Sequence, residues 1–77
     1  MDLERYMLNN NFQLVDTGGG CNAYRKEIDK NTYLLITKAD DPSVPEEMEE
    51  DVIIGYYNAD NDEQIKSIKT ILKRYFS

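Results

Sequence analysis

The sequence predicts an α+β fold: a short N-terminal helix, a four-stranded and mainly antiparallel sheet, and a C-terminal amphipathic helix packed on one face of it. Three observations carry this expectation. Segments rich in Val, Ile, Thr and Tyr between positions 12 and 57 are separated by turn-forming residues. Asp2 precedes an apolar pattern of helical spacing at Leu3, Tyr6 and Met7. Ile65, Ile68, Ile71, Leu72, Tyr75 and Phe76 form an apolar stripe near the C-terminus. A chain of 77 residues suits one domain, 1–77, around one core.

The elements follow in order. Asp2 caps the first helix, and Asn9-Asn10-Asn11 ends it, because Asn tolerates the left-handed backbone. Phe12 to Asp16 is a strand with Phe12 and Leu14 on one face. Thr17-Gly18-Gly19-Gly20 is then a loop, read as a hairpin loop whose glycines need positive φ. Cys21 to Ile28 and Thr32 to Lys38 form a second hairpin around Asp29-Lys30-Asn31, read as a three-residue loop with Asn31 left-handed. Pairing Ile28 with Thr32 across this loop sets Tyr24 opposite Ile36 and Lys26 opposite Leu34. Tyr24, Ile28, Leu34 and Ile36 then face the core. Ala23, Arg25, Glu27, Tyr33, Leu35 and Thr37 take the wetter face, with Tyr33 exposed. Val52 to Tyr57 is an apolar run suited to a central strand. Asp60 and Glu63 resemble a capping box opening a helix from Asn61 to Phe76, with Lys73 and Arg74 in its last turn.

Charge narrows the function. Fifteen acids against nine bases give a net charge of -6, a poor start for binding nucleic acid, whose affinity comes mainly from Lys and Arg on phosphates. The natural partner is a protein with a basic surface. One cysteine and no histidine exclude an internal disulfide and a Cys–His catalytic pair, and argue against a zinc site. Cys21 is expected to be a small packed residue. No apolar run approaches the roughly 20 residues of a membrane-spanning helix, and the first residues lack the pattern of a signal peptide, so a cytoplasmic protein is expected.

The remaining motifs suggest no catalysis and no cofactor. The triple glycine is followed by a strand and lacks the Lys-Ser or Lys-Thr of a phosphate loop. Asn58, Asp60 and Asp62 echo the start of a calcium loop, but Glu63 and Lys69 stand where Gly and Glu are required. Two candidate binding surfaces stand out. One is the stretch 40–51, with Asp40, Asp41, Glu46, Glu47, Glu49, Glu50 and Asp51, no base, and Pro42 and Pro45 to stiffen it. The other is the face carrying Tyr33 and Arg25. Residues 60–77 are net +1 and the others net -7, with Lys66, Lys69 and Lys73 read as a basic stripe on the final helix.

The runs Thr17-Gly18-Gly19-Gly20-Cys21-Asn22-Ala23-Tyr24, Tyr33-Leu34-Leu35-Ile36-Thr37 and Val52-Ile53-Ile54-Gly55-Tyr56-Tyr57 resemble small acidic uncharacterised accessory proteins encoded by bacteriophages. The resemblance covers Asp16 to Tyr57 and brings no defined motif. It implies a viral protein of the host cell interior, from a class that often inhibits a host enzyme or defence complex by binding it. Acidic members sometimes imitate the phosphate charge of DNA. The expectation is therefore a non-catalytic binding protein that occupies a basic surface, including one that normally holds nucleic acid. The alternative is a structural or assembly protein that self-associates as a homo-oligomer through a sheet edge or opposite charges.

Overall fold

The computed structural model describes residues 2–77. The chain forms α1 (Leu3–Asn9), β1 (Gln13–Gly18), β2 (Cys21–Asp29), β3 (Thr32–Lys38), β4 (Asp51–Asn58), β5 (Gln64–Ile71) and α2 (Leu72–Tyr75). The five strands make one antiparallel meander in the order β1-β2-β3-β4-β5. The fold is α+β with an antiparallel sheet, as the sequence indicates. It has five strands instead of four, and the expected C-terminal amphipathic helix is replaced by β5 and the single turn of α2.

That correction has a local and a tertiary cause. Gln64–Ile71 contains three isoleucines and a threonine, β-branched residues that favour strand over helix. A helix here would also have left the open side of β4 without backbone partners. The pairing of β5 supplies them from Asp51↔Ile71 to Tyr57↔Gln64. Asp60 and Glu63 therefore cap no helix. They lie in the β4–β5 turn, where Asn58 Oδ1 accepts the Asp60 N–H at 2.8 Å and Asn61 Oδ1 accepts the Glu63 N–H at 3.0 Å.

The first helix forms as expected. The Asp2 carboxylate accepts the Arg5 N–H at 3.3 Å, and Asn11 turns the chain out of the helix at φ 71°. Gly19 and Gly20 make a two-residue hairpin turn between Gly18 and Cys21, with φ of 61° and 81°. The next hairpin pairs Tyr24 with Ile36 and Lys26 with Leu34, but its turn is shorter than expected. Asp29 opposes Thr32, leaving Lys30 and Asn31 as a two-residue turn, and Asn31 is not left-handed. The Asp29 carboxylate accepts the Asn31 N–H at 2.7 Å. The register shift this needs falls between Glu27 and Asp29 and lifts Ile28 out of the core face, where it is 48% exposed.

One sheet face is covered. Tyr24, Leu34, Ile36, Val52 and Ile54 pack beneath Leu3 and Met7 of α1, Phe12, and Leu72 of α2. Tyr6, Tyr75 and Phe76 close this layer, with Tyr6 and Phe76 edge to face at 5.2 Å. Among the described residues no helix or further strand lies across the opposite face.

Candidate binding surfaces

Residues 39–50 join β3 to β4 across the end of the sheet. Seven acids in 40–51 would repel in a free chain, yet the segment is folded onto the core. Pro45 is fully buried, and Val44 and Met48 pack against the core cluster. The backbone is fastened on both sides: Lys38 N–H donates to Ser43 O at 2.8 Å, and Lys73 N–H to Met48 O at 2.9 Å. The Glu50 carboxylate completes the arrangement. Its Oε2 accepts the N–H groups of Glu46 and Glu47 at 2.6 and 2.9 Å, and its Oε1 lies 3.8 Å from Lys38 Nζ. The Glu46 N–H bond is the main reason that this carboxyl sits below the ordinary carboxylate range. Partial burial opposes the shift, while the Glu47 N–H and Lys38 reinforce it.

Glu50 is thus a structural residue of the loop. Asp40, Asp41, Glu46, Glu47, Glu49 and Asp51 remain exposed. Glu46, Glu47 and Glu49 rim a concavity of about 310 Å³ whose apolar lining is Leu3 and Met48. Both apolar residues come from elements that the core holds in place, so the carboxylates stand on an ordered frame. Chemically the hollow suits a long aliphatic stem ending in a cation, the form of a Lys or Arg side chain.

Tyr33 and Arg25 belong to a different surface. They lie on the uncovered sheet face, Tyr33 near the start of β3 and Arg25 opposite Leu35 at its middle, away from the loop that follows Lys38, so the structure does not gather the candidate residues into one site. Tyr33 is not exposed, as it is only 9% accessible. Its ring stacks on Tyr57 at 5.3 Å with planes 12° apart, and the Arg25 guanidinium lies 4.4 Å from its centroid. Arg25 Nη1 also meets Glu27 Oε1 at 3.4 Å. The Tyr33 hydroxyl donates to Asp62 Oδ1 at 2.8 Å. Burial is the first cause that raises the Tyr33 pKa, the Asp62 bond is the second, and Arg25 opposes them. Tyr57 and Asp62 were not among the expected site residues. The pairing of Tyr33 with Tyr57 follows once the third and fourth strands are aligned, whereas the Asp62 contact depends on the β4–β5 turn.

Beside this stack the uncovered face is shallow and mostly apolar, with Ala23, Leu35, Ile53 and Gly55 in a depression of about 440 Å³. Cys21 opens β2 opposite Gly18 and is partly exposed, so it is less enclosed than its neighbour Ala23. The expected basic stripe is absent: Lys66 and Lys69 project from opposite faces of β5, and Lys73 lies in α2. Among the described residues no group of three metal-ligating side chains converges, and no helix is long and apolar enough to cross a membrane. Comparison with known protein families, with curated proteins and with solved structures gives no match.

Proposed function

We propose that this chain is a non-catalytic binding protein that occupies a basic surface of a larger protein, as a bacteriophage accessory factor or inhibitor in the host cell interior would. The concavity rimmed by Glu46, Glu47 and Glu49 and lined by Leu3 and Met48 carries this reading. It offers a cationic side chain both an apolar wall for its stem and carboxylates for its head. The surrounding Asp40, Asp41 and Asp51 extend the negative field, which speeds encounter with a basic partner. Because the loop is already ordered, little conformational freedom is lost on binding. A surface that normally grips nucleic-acid phosphates has the matching charge.

The test compares the wild-type chain with E46Q/E47Q/E49Q as immobilised baits in bacterial host lysate over a salt series. Those three side chains are exposed, and Gln preserves their size, so the fold should persist. The wild type should retain a basic protein that salt releases, and the variant should lose it. Equal, salt-insensitive recovery by both baits would overturn the proposal. Glu50 is left intact because its carboxylate holds the loop.

A further inference from the structure

The edge of β5 carries a self-complementary pattern. Leu72 N–H donates to Glu50 O, and this pair is in register with Asp51↔Ile71. Antiparallel alternation then directs the backbone of Lys66, Ile68 and Thr70 toward β4, and that of Ser67 and Lys69 outward without a partner. From Gln64 to Lys69 every residue is exposed, including Ile65 at 58% and Ile68 at 41%. A free edge of this kind is a template for another strand. The register shift of β5 lies at its first residues, between Gln64 and Lys66, and leaves Lys66–Ile71 regular, whereas β1 ends in a shift between Asp16 and Gly18 and in three positive-φ glycines.

We propose that two copies of this chain associate through β5 into a two-fold dimer with one continuous ten-stranded sheet, Ile68 facing Ile68 of the second copy. The axis through Ile68 pairs Ser67 with Lys69 of the second copy, so both outward backbone groups of each chain find partners. It also sets Lys66 against Thr70 and brings the exposed Ile68 side chains of the two copies together, while Ile65 lies beyond the regular stretch, at the register shift between Lys66 and Gln64. No lysine faces a lysine in this register, whereas an axis through Lys69 would oppose two of them. Lys66 does not guard the edge, because its ammonium lies 4.8 Å over the Tyr56 ring. A second copy fits better than an unrelated strand because the isologous contact satisfies hydrogen bonding, apolar burial and charge together. The pairing leaves Glu46, Glu47 and Glu49 untouched.

Sedimentation velocity and a pair of cysteine variants test this. At high micromolar concentration the wild type should have twice the 9.0 kDa chain mass. Ser67→Pro removes an outward N–H and no bond to β4, and it should return the mass to that of one chain with an unchanged circular dichroism spectrum. In a Cys21→Ser background, I68C should cross-link into a disulfide dimer with oxidised glutathione, while K66C should not. A monomeric wild type, a dimeric Ser67→Pro, or cross-linking equal at the two positions would each overturn the proposal. Should Ser67→Pro fail to fold, the cross-linking pair still decides the register.

Discussion

The Tyr33 hydroxyl donates to Asp62 Oδ1 across 2.8 Å, joining residues 29 positions apart in the chain. Tyr33 stands on β3, and Asp62 sits in the β4–β5 turn with a left-handed φ of 59°. The bond ties the outermost hairpin to an interior strand and holds the turn in a conformation that a non-glycine residue seldom takes. The tyrosine is in turn clamped between Arg25 and Tyr57, so its hydroxyl is aimed at Asp62 by packing on both sides.

Tyr33→Phe should therefore lower stability by about 0.5–1.5 kcal/mol, the usual worth of one hydrogen bond. Asp62→Asn, which keeps an acceptor, should cost less. Urea denaturation of the two variants checks the order. The raised Tyr33 pKa carries a sign as well. The folded state holds its proton above the unfolded value near 10.0, so stability is lost as pH rises through the folded pKa. Tyr33→Phe should flatten that alkaline loss.

Gly55 and Tyr57 form a second coupled pair. A Cβ at position 55 would lie 2.8 Å from Tyr57 Cε1 and 2.9 Å from its hydroxyl oxygen. Gly55→Ala should push the ring aside and break its stack on Tyr33, costing about 0.5–1.5 kcal/mol. In a Tyr57→Ala background the clash is gone, and alanine's better strand propensity should make the same change neutral or favourable. A double-mutant cycle by thermal denaturation measures the difference, and additivity would contradict the contact.

Glu50 should behave differently from the acids around it. Glu50→Ala strips two backbone donors of their acceptor and should cost about 1–2 kcal/mol, as the loss of a helix cap does. Because its folded pKa is depressed below 4.5, its contribution is present above that value and lost as pH falls through the folded pKa. Acid denaturation of Glu50→Gln should show a smaller decline over that window than the wild type.

Leu72 and Ile68 separate the observed C-terminus from the helix that the sequence suggests. Leu72 is 0% exposed and Ile68 is 41% exposed. At concentrations where the chain is monomeric, Leu72→Ala should cost about 2–5 kcal/mol. Ile68→Ala should cost clearly less, since its side chain is only partly withdrawn from water. A continuous amphipathic helix over 61–76 would bury both and equalise the two values in chemical denaturation.

The sequence by itself determined the first helix and its Asn stop, the glycine turn, the Tyr24–Ile36 register, and the central place of the fourth strand. Each rests on short-range chemistry: a capping carboxylate, a backbone that only some residues tolerate, and an alternation of period two. It also singled out the acidic stretch, because charge is written directly in the residues. Tertiary structure decided the rest. Ile65, Ile68 and Ile71 satisfy a helical spacing on paper, but the unpaired side of β4 offers backbone partners that a helix cannot use, and β-branched residues accept the extended form. The same hairpin brings Asp62 to Tyr33 and makes a reputedly exposed tyrosine a buried one. The loop's order was equally hidden, since nothing local states that Pro45 and Met48 reach the core or that one carboxylate, Glu50, turns back on two amides while its neighbours face water. Those outcomes depend on which surfaces meet after the sheet has assembled, and residues far apart in the chain compete for them only then.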